Sequence, residues 1–234
     1  MSKFTGFGPE ALGFFKALAF HQNRDWFQEN KATYETQIRE PTLALVEDLT
    51  ERFAAAKIPL MGSKKTLFRI NRDIRFAKDK RPYQTHAGAT LTRTGDKMSD
   101  GVLYFHIAPP GMTEWDGSPE GSFAAIGFHI PEPGPLNAIR TAIKKKPAAC
   151  PTMEAELKKA KLKLGLGSQL TRVPRGCEDM KGSPVEGAIR LKSYMVEVPI
   201  DDALVTKPKL ADFLFKVATQ AKPLLDFGWK AIGA

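Results

Sequence analysis

Between Lys64 and Tyr83 the chain carries Lys64, Lys65, Arg69, Arg72, Arg75, Lys78, Lys80 and Arg81 against only Asp73 and Asp79. Guanidinium groups bind phosphate or carboxylate through paired N–H donors, and a nearby carboxylate or amide can hold their planes in place. If Thr66–Phe76 is a strand, alternation places Phe68, Ile70, Ile74 and Phe76 on one face and Arg69, Asn71, Asp73 and Arg75 on the other. Asp73 then orients the arginines, while Arg72 falls on the apolar face, at a sheet edge or against an interior acid. Lys78-Asp79-Lys80-Arg81-Pro82-Tyr83 has turn composition, adds further cations, and supplies Tyr83 as a stacking ring. The competing reading is a structural ion-pair network beneath the N-terminal helices, with the lysine-rich turn simply solvated.

Other groups add less. Arg172-Val173-Pro174-Arg175-Gly176 is a second basic turn, and Arg175 joins the first cluster if the last strand pairs near Thr66–Phe76. His86 follows the basic turn and, with Asp73, is the candidate for proton transfer. His106 and His129 lie mid-strand but have no third ligand in view, so no metal is expected. Gly6-Phe7-Gly8-Pro9 imitates a dinucleotide fingerprint, yet no strand precedes it and Pro9 removes a donor. No phosphate-binding Walker loop, nucleophile elbow or H-E-x-x-H motif occurs, and no cofactor is indicated. Cys150 and Cys177 lack a metal-ligand spacing and read as reduced thiols.

The elements that must position these groups follow from periodicity. Pro9 opens a helix carrying Leu12, Phe15 and Leu18 on one stripe, and Asn23 caps a second that Pro41 punctuates. Leu45, Leu49 and Phe53 continue a helical face to Ile58-Pro59. From Thr66 the period shifts to two, with strands expected at Thr66–Phe76, His86–Arg93, Gly101–Ala108 and Ser122–Ile130. The connecting segments are Lys78–Pro82, Thr94–Asp96 and the Pro109–Gly121 loop, short enough to favour an antiparallel meander. Helices are expected from Pro135 to Ile143 and over Thr152–Leu164, followed by the Gly165–Gly167 loop. Ser183-Pro184-Val185-Glu186 reads as a capping box, Tyr194–Val198 as a return strand, and Lys209–Leu225 as a last helix with Trp229 anchoring the tail. The expected fold is therefore α+β: a mostly antiparallel sheet of about five strands packed by N- and C-terminal helices. One domain spans 1–234, with helices in 9–57, sheet in 66–130, and helices plus the return strand in 135–230.

Composition agrees with a folded chain, since 42% of the 234 residues are hydrophobic and 26% charged, away from the disordered range. A net charge of +9 favours anionic partners. The longest apolar runs are too short to span a bilayer and Met1–Phe20 lacks signal-peptide order, which points to a cytoplasmic protein without a membrane role.

Four blocks carry a resemblance. These are Phe14-Phe15-x-x-Leu18, then Asn23-Arg24-x-Trp26-Phe27 with Lys31 and Tyr34, then Arg69-x-x-Arg72-Asp73-x-Arg75-Phe76-x-Lys78-Asp79-Lys80-x-Pro82-Tyr83, and finally Arg172-x-Pro174-Arg175-Gly176. Together they resemble a bacterial and fungal family known as domain of unknown function 2461, from about Phe14 to Val198. The resemblance implies one domain and brings no activity with it. Gln84 stands where that family often has lysine, and Gly127-Phe128-His129 where glycines are usual. The site expected from the residues is thus Arg69, Arg72, Asp73, Arg75, Lys78, Lys80, Arg81, Tyr83 and Arg175, holding an anionic, phosphate-bearing molecule. An enzyme acting on a small phosphorylated or carboxylated substrate, and a nucleic-acid-binding or protein-interaction domain, are the alternatives.

Overall fold

The computed structural model describes residues 3–112, 120–129, 131–165 and 169–233. Parts of the Pro109–Gly121 and Gly165–Gly167 loops, the Gly165-x-Gly167-Ser168 run, and the end of the Ser122–Ile130 strand lie outside them. The helices are α1 (Ala11–Phe20), α2 (Arg24–Glu29), α3 (Lys31–Tyr34), α4 (Glu40–Ala55), α5 (Pro133–Lys145), α6 (Ala149–Lys159), α7 (Glu186–Arg190), α8 (Asp202–Val205), α9 (Lys209–Gln220) and α10 (Lys222–Ile232). The strands are β1 (Ala87–Thr92), β2 (Val102–Ile107), β3 (Phe123–Phe128) and β4 (Tyr194–Pro199), forming one antiparallel sheet in that order. Among the described residues no helix is long and apolar enough to cross a membrane. The chain divides into two compact units, one of residues 1–97, 104–124 and 199–215, the other of 98–103, 125–198 and 216–234.

In the first unit, α1 buries Phe15 and Leu18 of the expected stripe together with Ala11 and Phe14, while Leu12 is part-exposed. Asn23 caps α2, its side chain accepting from the Trp26 N–H at 2.9 Å. Pro41 does not end the next helix. The backbone stays helical from 31 to 55, widening to a π-turn over Glu35–Arg39. Pro41 has no N–H to donate, and the Gln37 carbonyl one turn back accepts from the Gly8 N–H at 3.0 Å instead. α4 then packs Leu45, Val46, Leu49 and Phe53 inward and lies against β1.

The fifth strand expected over Thr66–Phe76 does not form. A 3-10 turn at Lys64–Thr66 leads into irregular backbone whose strand-like pairing is confined to the isolated antiparallel bridges Leu67↔Ala89 and Asn71↔Tyr83. Of its apolar positions only Ile70 is fully buried, while Phe68 is 41% and Phe76 95% exposed. The cause is local. Asp73 Oδ1 accepts from the Arg75 N–H at 3.2 Å and Asp79 Oδ1 from the Arg81 N–H at 3.0 Å. Such side-chain turns compete with a ladder, and Pro82 offers it no donor.

In the second unit α10 packs against α5 and α6. Gly228 lets α10 approach so closely that a Cβ there would lie 2.0 Å from the Phe128 ring. Trp229 is the expected anchor, 3% exposed with its Nε1 donating to the Asp100 carbonyl at 3.1 Å. The last helix is broken at Ala221, where Pro223 starts a new first turn. Ser183 is not a cap: α7 begins at Glu186, and the buried Ser183 hydroxyl has no hydrogen-bond partner among the described residues. Buried Arg140 instead secures the end of α7, donating to the Ile189 and Leu191 carbonyls at 3.0 Å each.

Candidate functional site

The first unit holds a cleft of about 690 Å³, walled by one face of α2, α3 and the π-turn and by segments 64–71, 82–83 and 86–88. The helical wall presents Arg24, Gln28, Lys31, Tyr34, Glu35, Ile38, Arg39 and Thr42. The 34, 38, 42 and 35, 39 spacings are fourfold, and a π-turn, with more residues per turn than an α-helix, keeps such positions aligned. The opposite wall carries Lys64, Phe68, Arg69 and Asn71, with Tyr83 and His86 behind them.

Among the described residues Arg24, Lys31, Lys64 and Arg69 make no ion pair with any carboxylate. Among the described residues Glu35 is the sole acid in the lining, and its Oε2 is taken by Arg39 Nη1 at 2.6 Å. Burial first, and the Glu35 charge second, push the Tyr34 phenol up to about 12, so it stays a neutral donor at physiological pH. Beside this wall, Lys97 donates to the Leu67 carbonyl and sits 4.8 Å from the centre of the Phe68 ring. Its ammonium is lowered by burial and then by the Arg69 charge, a mutual repulsion that an anion would relieve.

The structure divides the expected arginine row. Only Arg69 reaches the cleft. Arg75 grips Asp73 bidentately, at 3.0 and 2.7 Å, and holds that carboxyl below its usual range. Arg72 and Arg81 both bind Asp79, at 2.7 and 2.8 Å, and Lys80 donates to the Ile74 carbonyl at 3.0 Å. Lys78 is exposed on the same loop. Asp73 therefore holds Arg75 outside the cleft lining. Tyr83 lines the cleft but is 6% exposed, its ring stacked on Phe27 at 4.5 Å between centroids. The Gln22 amide pins it by accepting from the Tyr83 N–H at 3.0 Å and donating to its carbonyl at 3.3 Å. Arg175 belongs to the second unit, and among the described residues the cleft lining comes from residues 24–88.

His86 reaches the cleft at 8% exposure, its ring stacked on that of His106 at 4.1 Å. His106 is 2% exposed, meets the Tyr104 hydroxyl through Nδ1 at 2.8 Å, and stacks on Phe123 at 4.8 Å. Burial, and secondarily His86, push His106 down to about 2, so it is a neutral ring under the cleft floor. Among the described residues no three His, Cys, Asp or Glu side chains converge as metal ligands.

Sequence reasoning singled out Arg69, Tyr83 and His86, counted Lys64 in the basic stretch without placing it in the site, and gave no binding role to Arg24, Gln28, Lys31 or Glu35. The signal was present: positions 24, 28, 31, 35 and 38 share one helical face, polar at four of them. The second unit has a smaller hollow of about 260 Å³ whose lining includes Cys150, Glu154 and Gln169. Burial, then Glu154, pushes the Cys150 thiol up to about 12, which makes it unreactive.

A family model described as "Conserved hypothetical protein (DUF2461)" matches residues 10–227. No curated protein and no solved structure matches the chain.

Proposed function

Since the chain belongs to the conserved hypothetical protein family DUF2461, we propose a function from its cleft: binding of a small phosphate-bearing anion by Arg24, Lys31, Lys64 and Arg69. The observation that carries this is four cations around one concavity that have no carboxylate partner among the described residues. Like charges gathered in a cleft repel one another and focus a positive field into it, and a bound anion turns that repulsion into attraction. A volume of about 690 Å³ suits a small organic molecule better than a bare ion. Arg72, Arg75 and Arg81, already paired with Asp73 and Asp79, then form an outer approach surface together with Lys78 and Lys80. A cytoplasmic setting belongs to the same proposal, supported by the free thiols Cys150 and Cys177.

Thermal melting with pyrophosphate, AMP and ribose 5-phosphate tests this. At least one should raise the melting temperature of the wild type and of Arg75→Gln, and much less that of Arg69→Gln or Lys64→Gln. Losing one charge-assisted contact weakens binding roughly tenfold. No shift with any of the three, or an undiminished shift in Arg69→Gln, would overturn the proposal.

A second reading, acid–base catalysis in the same cleft, is favoured by His86 alone among the lining residues. Its test is turnover of a bound phosphate ester that His86→Asn abolishes while leaving affinity intact. Retained turnover, or none in the wild type, removes it.

A further inference from the structure

We infer that the cleft takes a phosphate ester of a hydroxyl-bearing organic group, a sugar phosphate or ribonucleotide, and that Glu35 selects it by accepting the ligand's hydroxyls. The inference rests on the anion reading above and names the class of ligand.

A cleft for a bare anion gains nothing from a carboxylate in its wall, because a negative charge a few ångströms away lowers anion affinity. Yet Glu35 lies in the lining with its side chain 32% accessible. Arg39 occupies only one of its oxygens, Oε2, and among the described residues Oε1 accepts no hydrogen bond. A carboxylate held by one oxygen and open at the other is a fixed acceptor, the group that binds vicinal hydroxyls of a ribose elsewhere in nucleotide recognition. Two amides in the same lining, Gln28 and Asn71, have side chains with no hydrogen bond among the described residues. Each offers both a donor and an acceptor, which suits hydroxyls and ring nitrogens and adds nothing specific for a plain anion. Phe68, 41% exposed in the same lining, gives a sugar or base an apolar face. The cleft thus has cations for a phosphate and, beside them, a carboxylate, two amides and a ring for an organic moiety.

Calorimetric titration of wild type, Glu35→Gln and Glu35→Asp with AMP, 2′,3′-dideoxy-AMP, ribose 5-phosphate and pyrophosphate tests this. In the wild type AMP should bind roughly tenfold tighter than its dideoxy analogue, or ribose 5-phosphate than pyrophosphate, since a hydroxyl-to-carboxylate bond is charge-assisted. Which pair shows it separates ribonucleotide from sugar phosphate. In Glu35→Gln the preference should shrink to about twofold while pyrophosphate binds several-fold tighter, because charge is lost but shape is kept. Glu35→Asp, which retains the charge, should keep part of the preference. Pyrophosphate binding with no hydroxyl preference in the wild type, or a preference undiminished in Glu35→Gln, overturns this inference and leaves the anion reading standing. Failure of all four compounds to bind the wild type overturns both.

Discussion

Lowering the pH from 7 to 5 protonates His106 in the unfolded chain but not in the folded one. Its ring is 2% exposed, packed between His86 and Phe123, and held down to about 2 from an ordinary 6.5. A base whose folded value is depressed contributes stability that is whole above the unfolded value and is lost as pH falls below it. Each pH unit below 6.5 therefore costs about 1.4 kcal/mol, which sums to about 2 kcal/mol at pH 5. For a chain of this size that is about 4–8 °C in melting temperature. Urea unfolding at half-unit steps from pH 7.5 to 5 reads the slope directly, compared with His106→Gln, which keeps a partner for the Tyr104 hydroxyl but cannot take a proton. Asp100 and Glu197, whose carboxyls burial pushes up, contribute the opposite slope and are common to both proteins. The variant should start lower at pH 7.5 and lose about 2 kcal/mol less on acidification. Parallel slopes would refute the claim that a neutral imidazole lies beneath the cleft floor.

Two further outcomes follow from the packing. Gln22→Ala strips both amide bonds from the Tyr83 backbone; it should cost about 1–3 kcal/mol in urea unfolding and speed amide exchange around Tyr83, and unchanged exchange there would show that the Phe27 stack suffices. Gly127→Ala combines a φ of +134° with a Cβ 2.0 Å from the Tyr194 carbonyl oxygen. Strain and overpacking together predict a loss of about 3–5 kcal/mol, and a melting temperature within two degrees of wild type would contradict the backbone geometry there.

Where hydrophobic period and turn chemistry agreed, the sequence was legible. β1 through β4 lie where alternation placed them, Asn23 caps its helix, and Trp229 anchors the tail. The segment 66–76 misled because Phe68, Ile70, Ile74 and Phe76 alternate as in a strand, while the deciding interactions are two-residue turns closed by Asp73 and Asp79. The same pairs occupy Arg75 of the expected row, Arg72 of the face opposite it and Arg81 of the turn. The cleft was only partly readable, because its second wall comes from residues forty positions upstream, and a helical face shows its spacing in sequence but not what stands opposite. Gln22 gave no signal at all, since its importance lies in a backbone 61 residues away.

The widened turn at Glu35–Arg39 holds one residue more than α geometry would place in the same rotation. Excising one residue there would let the helix close to ordinary α geometry with both flanking faces kept nearly in phase, whereas a one-residue deletion elsewhere in a helix turns one end by about 100° against the other. Arg24, Lys31 and Tyr34 would stay on the shared face while α4 kept its seat on β1. Five consecutive positions in this wall are thus the ones where the chain can lose a residue and still present the same side chains together.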